Sequence, residues 1–213
     1  MMHPHTTLRY INDVVGYGVF ATQKIPKGTI TWALDDLDQH YDESYVSALE
    51  PLRRDLLIKY SYRDEQGRYV LCWDIARYVN HSFRPSCIAT PYQFELACRD
   101  ISPGEELTDD YGYLNLDHPF YCQPEVGCDR TVVLPDDILL YYPQWDAIAI
   151  ESFCHFNQVE QPLKHLIQPQ YRFKVEAVAA GKVPMDSILG CYYDRSCSNN
   201  QLTQAKYTSA NQG

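Results

Sequence analysis

The chain has 213 residues, a net charge of −10 and 45% hydrophobic content, enough for one large domain or a medium domain with an appendage. No apolar run approaches the roughly 20 residues that cross a bilayer, and the N-terminus, Met1-Met-His-Pro-His5, lacks the basic-then-apolar layout of a secretory signal; a cytoplasmic protein without membrane contact is expected. The acidic surplus speaks against direct nucleic-acid binding, which needs a basic face, and suits basic partners drawn in by long-range steering, although it serves solubility equally well.

Eight cysteines are scattered without a C-x-x-C pair. That argues against a structural zinc site of ordinary spacing and against a disulfide scaffold, so most are read as reduced core residues. The 18 tyrosines pack cores and interfaces, and such a surplus also suits a site that holds a cation between ring faces.

In chain order, Leu8–Ile11 alternates apolar and polar residues as a strand does. Gly16–Ala21 follows an Asn-Asp turn, and Ile25-Pro-Lys-Gly28 turns into a strand over Thr29–Ala33. Gly16 and Gly18 around Tyr17 let a backbone approach a ligand closely. Ser44–Lys59 has helical spacing interrupted by Pro51, which would break or kink it, so two short helices or a helix within an insertion are expected. A turn at Asp64–Gly67 leads into a strand at Arg68–Trp73. A polar trio then follows an apolar run, Asn80-His81-Ser82, ahead of Pro85. Its amide, imidazole and hydroxyl are costly to bury unpaired, and by itself it reads as a polar turn. Ser86–Thr90 and Gln93–Cys98 predict a β-hairpin, and Glu105–Tyr111 a strand ending at Gly112. From Pro135 the pattern turns helical: Pro135-Asp-Asp opens one segment, Trp145–Phe156 is another, and Gln168–Ala180 is closed by Gly181. The polar stretch 197–213 is expected to be disordered. The fold class is α+β, mainly β in short strands, with a helical C-terminal region.

Three stretches stand in a fixed order: Gly16-Tyr-Gly18-Val-Phe-Ala with Ile25-Pro-Lys-Gly-Thr29; Ala76-Arg-Tyr-Val-Asn80-His81-Ser82-x-x-Pro85; and Ile101-x-x-Gly104-Glu-Glu-Leu-Thr-x-Asp110-Tyr111-Gly112. Together they resemble the SET-domain protein-lysine methyltransferases, over roughly residues 7–125, in the compact bacterial-type form with a helical C-terminal extension (126–196). The resemblance implies small curved sheets with a pseudoknot that brings Asn80-His81 beside Tyr111-Gly112, and a variable insertion at 35–70 that helps bind substrate. It implies S-adenosylmethionine as cofactor, held by the main chain of Gly16, Tyr17 and Gly18, by Asn80 and His81, and lying against Tyr111, the catalytic tyrosine. A phenol with a pKa near 10 is a poor base at neutral pH, so its role is read as orientation and electrostatics. The implied substrate is a protein or peptide with an accessible lysine, a histone or another basic protein. Tyr78, Trp73, Tyr60 and Tyr62 are candidate walls of the lysine channel. A bacterial effector of this type would act in the host nucleus. The rival reading is a non-catalytic SET-fold module that binds a partner without turnover.

Departures from the pattern carry information. Phe83 stands where many relatives have a zinc-ligand cysteine, Ser86 replaces an Asn, and Cys122 to Cys128 is one residue longer than the C-x4-C of the post-SET segment. No zinc is expected. Asp109 occupies a position where relatives carry Phe or Tyr. It either puts a carboxylate near the substrate amine or turns away, which leaves the number of methyl groups added, like the oligomeric state, open.

Overall fold

In a computed structural model, which describes residues 1–196, the chain opens with a hairpin. Strand β1 (Thr6–Asn12) pairs antiparallel with β2 (Gly16–Ala21). The turn holds because Asn12 Oδ1 accepts from the N–H groups of Val14 and Val15, both at 2.9 Å, and Gly16 takes φ +83°, a region costly for residues with a β-carbon. The polar stretch 197–213 lies outside the described residues.

Strand β3 (Ile30–Ala33) is buried throughout. The following segment forms β4 (Gln39–Tyr41), α1 (Glu43–Ser47), α2 (Pro51–Tyr60) and β5 (Ser61–Arg63). Pro51 starts α2 rather than kinking a longer helix, and the Glu50 carboxylate accepts from the Arg53 N–H at 3.1 Å to cap it. Helix α2 buries none of its residues, so its leucine spacing does not mark a core face. Strand β6 (Tyr69–Leu71) lies between β4 and β5. Neither of those flanking strands is evident in the sequence: each is three residues long, and its pairing with β6 makes it a strand.

The expected hairpin is β8 (Cys87–Ala89) and β9 (Phe94–Ala97), completed into a three-stranded sheet by β3 on the other side of β9. Between β6 and β8 lies β7, only Asn80–His81. It runs parallel to β10 (Glu106–Asp109), which itself pairs with β2, giving the order β1-β2-β10-β7. Strands β11 (Phe120–Tyr121) and β12 (Val132–Val133) then form a small hairpin.

The C-terminal region is helical, as expected, though its first two segments are one helix: α3 (Asp137–Phe153) runs through Pro143. A proline inside a helix removes one backbone bond. Here the buried face of Trp145, Ala149 and Phe153 keeps the helix continuous by tertiary packing. Helix α4 (Arg172–Ala179) follows, ended by Gly181 at φ +65°. One hydrophobic cluster joins the two regions: Ile30, Ile88, Tyr92, Phe94, Leu96 and Tyr113 pack with Ile138, Trp145, Phe153, Phe156, Val175 and Ile188. A second, around Val19, Ile25, Val70, Cys87, Ala97 and Leu107, lies within the strand region.

Candidate active site

Parallel pairing of β7 with β10 sets Asn80 opposite Thr108 and His81 opposite Asp109. The polar trio is therefore not a self-contained turn. Its backbone is shared with β10, the Ser82 N–H donating to the Asp109 carbonyl at 2.9 Å. Just past β10, Tyr111 turns back over it. The Tyr111 N–H donates to His81 Nδ1 at 3.1 Å and its hydroxyl to the Val79 carbonyl at 2.7 Å. Because Nδ1 accepts, the neutral imidazole carries its proton on Nε2, which is buried without a partner. Burial also holds His81 below the usual imidazole range. Burial first, then the carboxylates of Asp109 and Glu106, push the Tyr111 phenol well up, so it stays protonated.

Across β10 lies β2. Asn80 Nδ2 donates to the Tyr17 carbonyl at 3.0 Å and to Glu106 Oε1 at 2.7 Å. A β-carbon on Gly18 would lie 2.4 Å from Glu106 Oε1 and 2.9 Å from Asn80 Nδ2, whereas one on Gly16 would meet nothing within 4 Å. Gly18 is thus required by close approach. Gly16, Tyr17, Gly18, Asn80, His81 and Tyr111 all fall in one neighbourhood. Glu106 joins them, and no motif had singled it out. Strand alternation puts it on the face opposite the buried Leu107 and Asp109.

Tyr111 also lines a cavity of about 440 Å³. Its walls include Trp32, Tyr60, Tyr62, Tyr113 and Phe120, with Glu95 and Asp109 among them. Asp109 therefore faces this space. Of the aromatic residues suggested as channel walls, Tyr60 and Tyr62 are there, while Trp73 and Tyr78 are elsewhere. The Trp73 indole is turned to Asp35, donating at 3.0 Å. Tyr78 belongs to a row of rings with Tyr17 at 6.0 Å and Tyr60 at 5.4 Å.

Phe120 of β11 closes on this site, 5.4 Å from the Tyr111 ring and 6.0 Å from His81 between centroids. Among the described residues no group of three or more His, Cys, Asp or Glu side chains is arranged to hold a metal; Cys87 is buried on β8, away from solvent. Side-chain contacts anchor the segment after Phe120. Glu125 accepts from Ser82 Oγ at 2.9 Å and from the Phe83 N–H at 3.0 Å. Arg130 bridges Asp110 at 2.6 Å and Asp137 at 2.7 Å, its guanidinium lying over Phe83 and Tyr141 at 4.3 and 4.1 Å. Phe83, in the place of the missing cysteine, is one side of that sandwich.

Residues 16–112 match the family model of the SET domain. Among the solved structures that match is the crystal structure of a Plasmodium falciparum protein described as a candidate histone methyltransferase. It shares 18% identity, is covered over 52% of this chain and 95% of its own, and gives a TM-score of 0.38. A search of curated proteins finds no match.

Proposed function

We propose that the protein, whose residues 16–112 match the family model of the SET domain, is a protein-lysine methyltransferase that takes its methyl group from S-adenosylmethionine. One observation carries this reading: Tyr111 lines the aromatic cavity and is joined through His81 and the β7–β10 pairing to the polar group around Asn80. Gly18 and Glu106 belong to that group.

The polar group fits the cofactor. Gly16 leaves the β2 turn open to a ligand, and Gly18 lets Glu106 and Asn80 close on the strand beside it. Glu106 supplies a carboxylate for a positively charged molecule, and His81 Nε2–H lacks a partner. Gly16, Tyr17, Gly18, Asn80, Glu106 and His81 would hold S-adenosylmethionine, which supplies, when bound, a methyl group activated by its sulfonium sulfur. The cavity fits a lysine side chain. Trp32, Tyr60, Tyr62 and Tyr113 offer an apolar sleeve that disfavours the ammonium by desolvation while ring faces tolerate it on entry. Asp64, Glu65 and Asp117 also line the cavity and suit a basic peptide. Aligning amine and methyl group accounts for several kcal/mol of the barrier. The protonated Tyr111 hydroxyl, fixed to Val79, orients the reacting groups.

The test is transfer of label from methyl-labelled S-adenosylmethionine to a histone and a cell-extract panel, with binding followed by calorimetry. Tyr111→Phe is expected to bind cofactor and lose most transfer; Asn80→Ala is expected to lose cofactor affinity about tenfold or more. If both variants match the wild type in binding and transfer, the site assignment is wrong. Absence of S-adenosylmethionine binding would leave a SET-fold module that binds its partner without turnover.

A further inference from the structure

Two carboxyls meet in the cavity wall. Asp109 is the last residue of β10, on the buried face with Leu107; Glu95 lies on β9, opposite Trp32 of β3 and Ala89 of β8. They are 5% and 9% exposed, and both line the cavity with Tyr111. Their carboxyls face each other, each altering the proton affinity of the other. The Tyr113 hydroxyl and the Glu95 carboxyl both act on the Asp109 carboxyl at close range, although no hydrogen bond of good geometry satisfies Asp109 Oδ1 or the Tyr113 hydroxyl.

Such a pair is costly to bury, and apolar residues of similar volume would be more stable there. A structural ion pair would offset that cost, but among the described residues neither Asp109 nor Glu95 forms one. Of the cations in the same wall, Arg63 is engaged by Glu43 and by Asp117 at 2.7 Å, while Arg77 and Lys59 lie over the rings of Tyr78 and Tyr60 at 5.4 and 5.3 Å. The remaining neighbours do not neutralise the pair either. Tyr62 on β5, Cys87 on β8, Tyr111, Tyr113 and Asp110 are neutral or acidic, and the Met1 amine, which favours ionised Glu95, is salt-bridged to Asp35. What remains is negative charge open to a space walled by Trp32, Tyr62, Tyr111 and Tyr113. That is the complement of an alkylammonium ion.

We propose that Asp109 and Glu95 work as one unit, a carboxyl pair sharing a single proton, which receives the alkylammonium group of the substrate and takes up the proton it must lose. The receptor stands on the cavity itself; the proton uptake rests on the methyl-transfer reading above. Two carboxyls in contact do not both ionise readily, so the pair carries one negative charge. The first proton lost by the ammonium passes to the ionised oxygen as its N–H bond breaks, and the electron pair stays on nitrogen. That pair forms the new N–C bond while the S–C bond of the methyl donor breaks, its electrons remaining on sulfur. The doubly protonated pair then returns one proton to solvent. Burial, the largest influence on each carboxyl, raises both and puts Asp109 at about 7, where a proton acceptor is most useful.

The experiment uses the full chain and a probe that needs no knowledge of the substrate. n-Butylammonium, with 1-butanol as the neutral control, is titrated into protein labelled at its carboxyl carbons, with Asp109→Asn and Glu95→Gln both to assign the signals and to test the pair. The expected result is a carboxyl titrating near neutrality and n-butylammonium binding about tenfold tighter at pH 8 than at pH 5. Binding should be about tenfold weaker in either variant and the control unaffected. In methyl-transfer assays, the wild-type rate should level off above about pH 8, while that of Asp109→Asn keeps rising as the amine loses its proton to solvent. Carboxyls that titrate near 4, or variants that bind n-butylammonium like the wild type, overturn the receptor. An unchanged pH profile in Asp109→Asn overturns the proton uptake. A protein that binds n-butylammonium through Asp109 but never binds S-adenosylmethionine keeps the receptor and loses the methyltransferase reading, so the two failures are distinguishable.

Discussion

Trp145 stands against Gly112 so closely that a β-carbon on the glycine would lie 2.7 Å from Cη2 of the indole. The neighbour of Tyr111 is thus seated directly on α3, and the same ring meets Tyr113 edge-on at 5.3 Å. Gly112→Ala should overpack this contact at a cost of about 1–3 kcal/mol, a fall of several degrees in Tm. The added Trp145→Phe should restore part of it, since the two sites share one contact. Thermal unfolding of the single and double variants checks this; equal additivity would show that the contact is not tight.

The helical region is not an independent appendage. Gly28 repeats the pattern, with a β-carbon there falling 2.8 Å from the Ser152 carbonyl and 2.7 Å from the His155 β-carbon. Residues 1–130 expressed alone would expose the sides of Ile88, Tyr92 and Phe94 that pack on α3, each worth about 1.5–3 kcal/mol when fully buried. The truncated chain is expected to lose cooperative unfolding by circular dichroism and to aggregate.

Arg130 is the tie between the two regions. Arg130→Met removes the cation between Asp110 and Asp137, which are 1% and 5% exposed, and leaves two buried carboxylates uncompensated. A loss of about 3–5 kcal/mol is expected, read by urea unfolding, together with weaker seating of Phe120 over Tyr111. Arg130→Lys should rescue little, because one ammonium does not reproduce the two-armed geometry.

Asp109 should make the fold less stable at high pH. Its carboxyl sits at about 7 in the folded chain, against about 4 unfolded. The folded state therefore holds more protons between these values, and stability falls as pH rises through them. Asp109→Asn, which cannot ionise, should raise Tm at pH 8, with the gain shrinking toward pH 4. A gain that is the same at both pH values would show that Asp109 ionises freely.

Much of this arrangement is legible in the chain because it rests on local chemistry. The Asn12 turn, the cap of α2 at Pro51 and the β8–β9 hairpin are set by neighbouring residues, and the three motif stretches placed Asn80, His81 and Tyr111 in one neighbourhood. What escaped reading depends on distant partners. Strands β4 and β5 exist only through β6. Glu106 looks like a surface acid until Gly18 and Asn80 enclose it. Glu95, a lone acid in an apolar strand, acquires meaning only opposite Asp109. Trp73 and Tyr78 have the right chemistry for a channel wall, but Asp35 and Tyr17 hold them elsewhere.

The short parallel pairing of β7 with β10 governs when the pocket comes into being. Hydrogen bonds that define it link residues 63 apart, Asn80 to Tyr17, and 30 apart, Tyr111 to His81, and contacts of such separation form late in folding. Their support reaches as far as Ile188, which packs against α3. A nascent chain must therefore have most of its length free of the ribosome before it has anywhere to bind a small molecule. Any ligand of this pocket binds only the finished fold, and so acts as its ballast against unfolding.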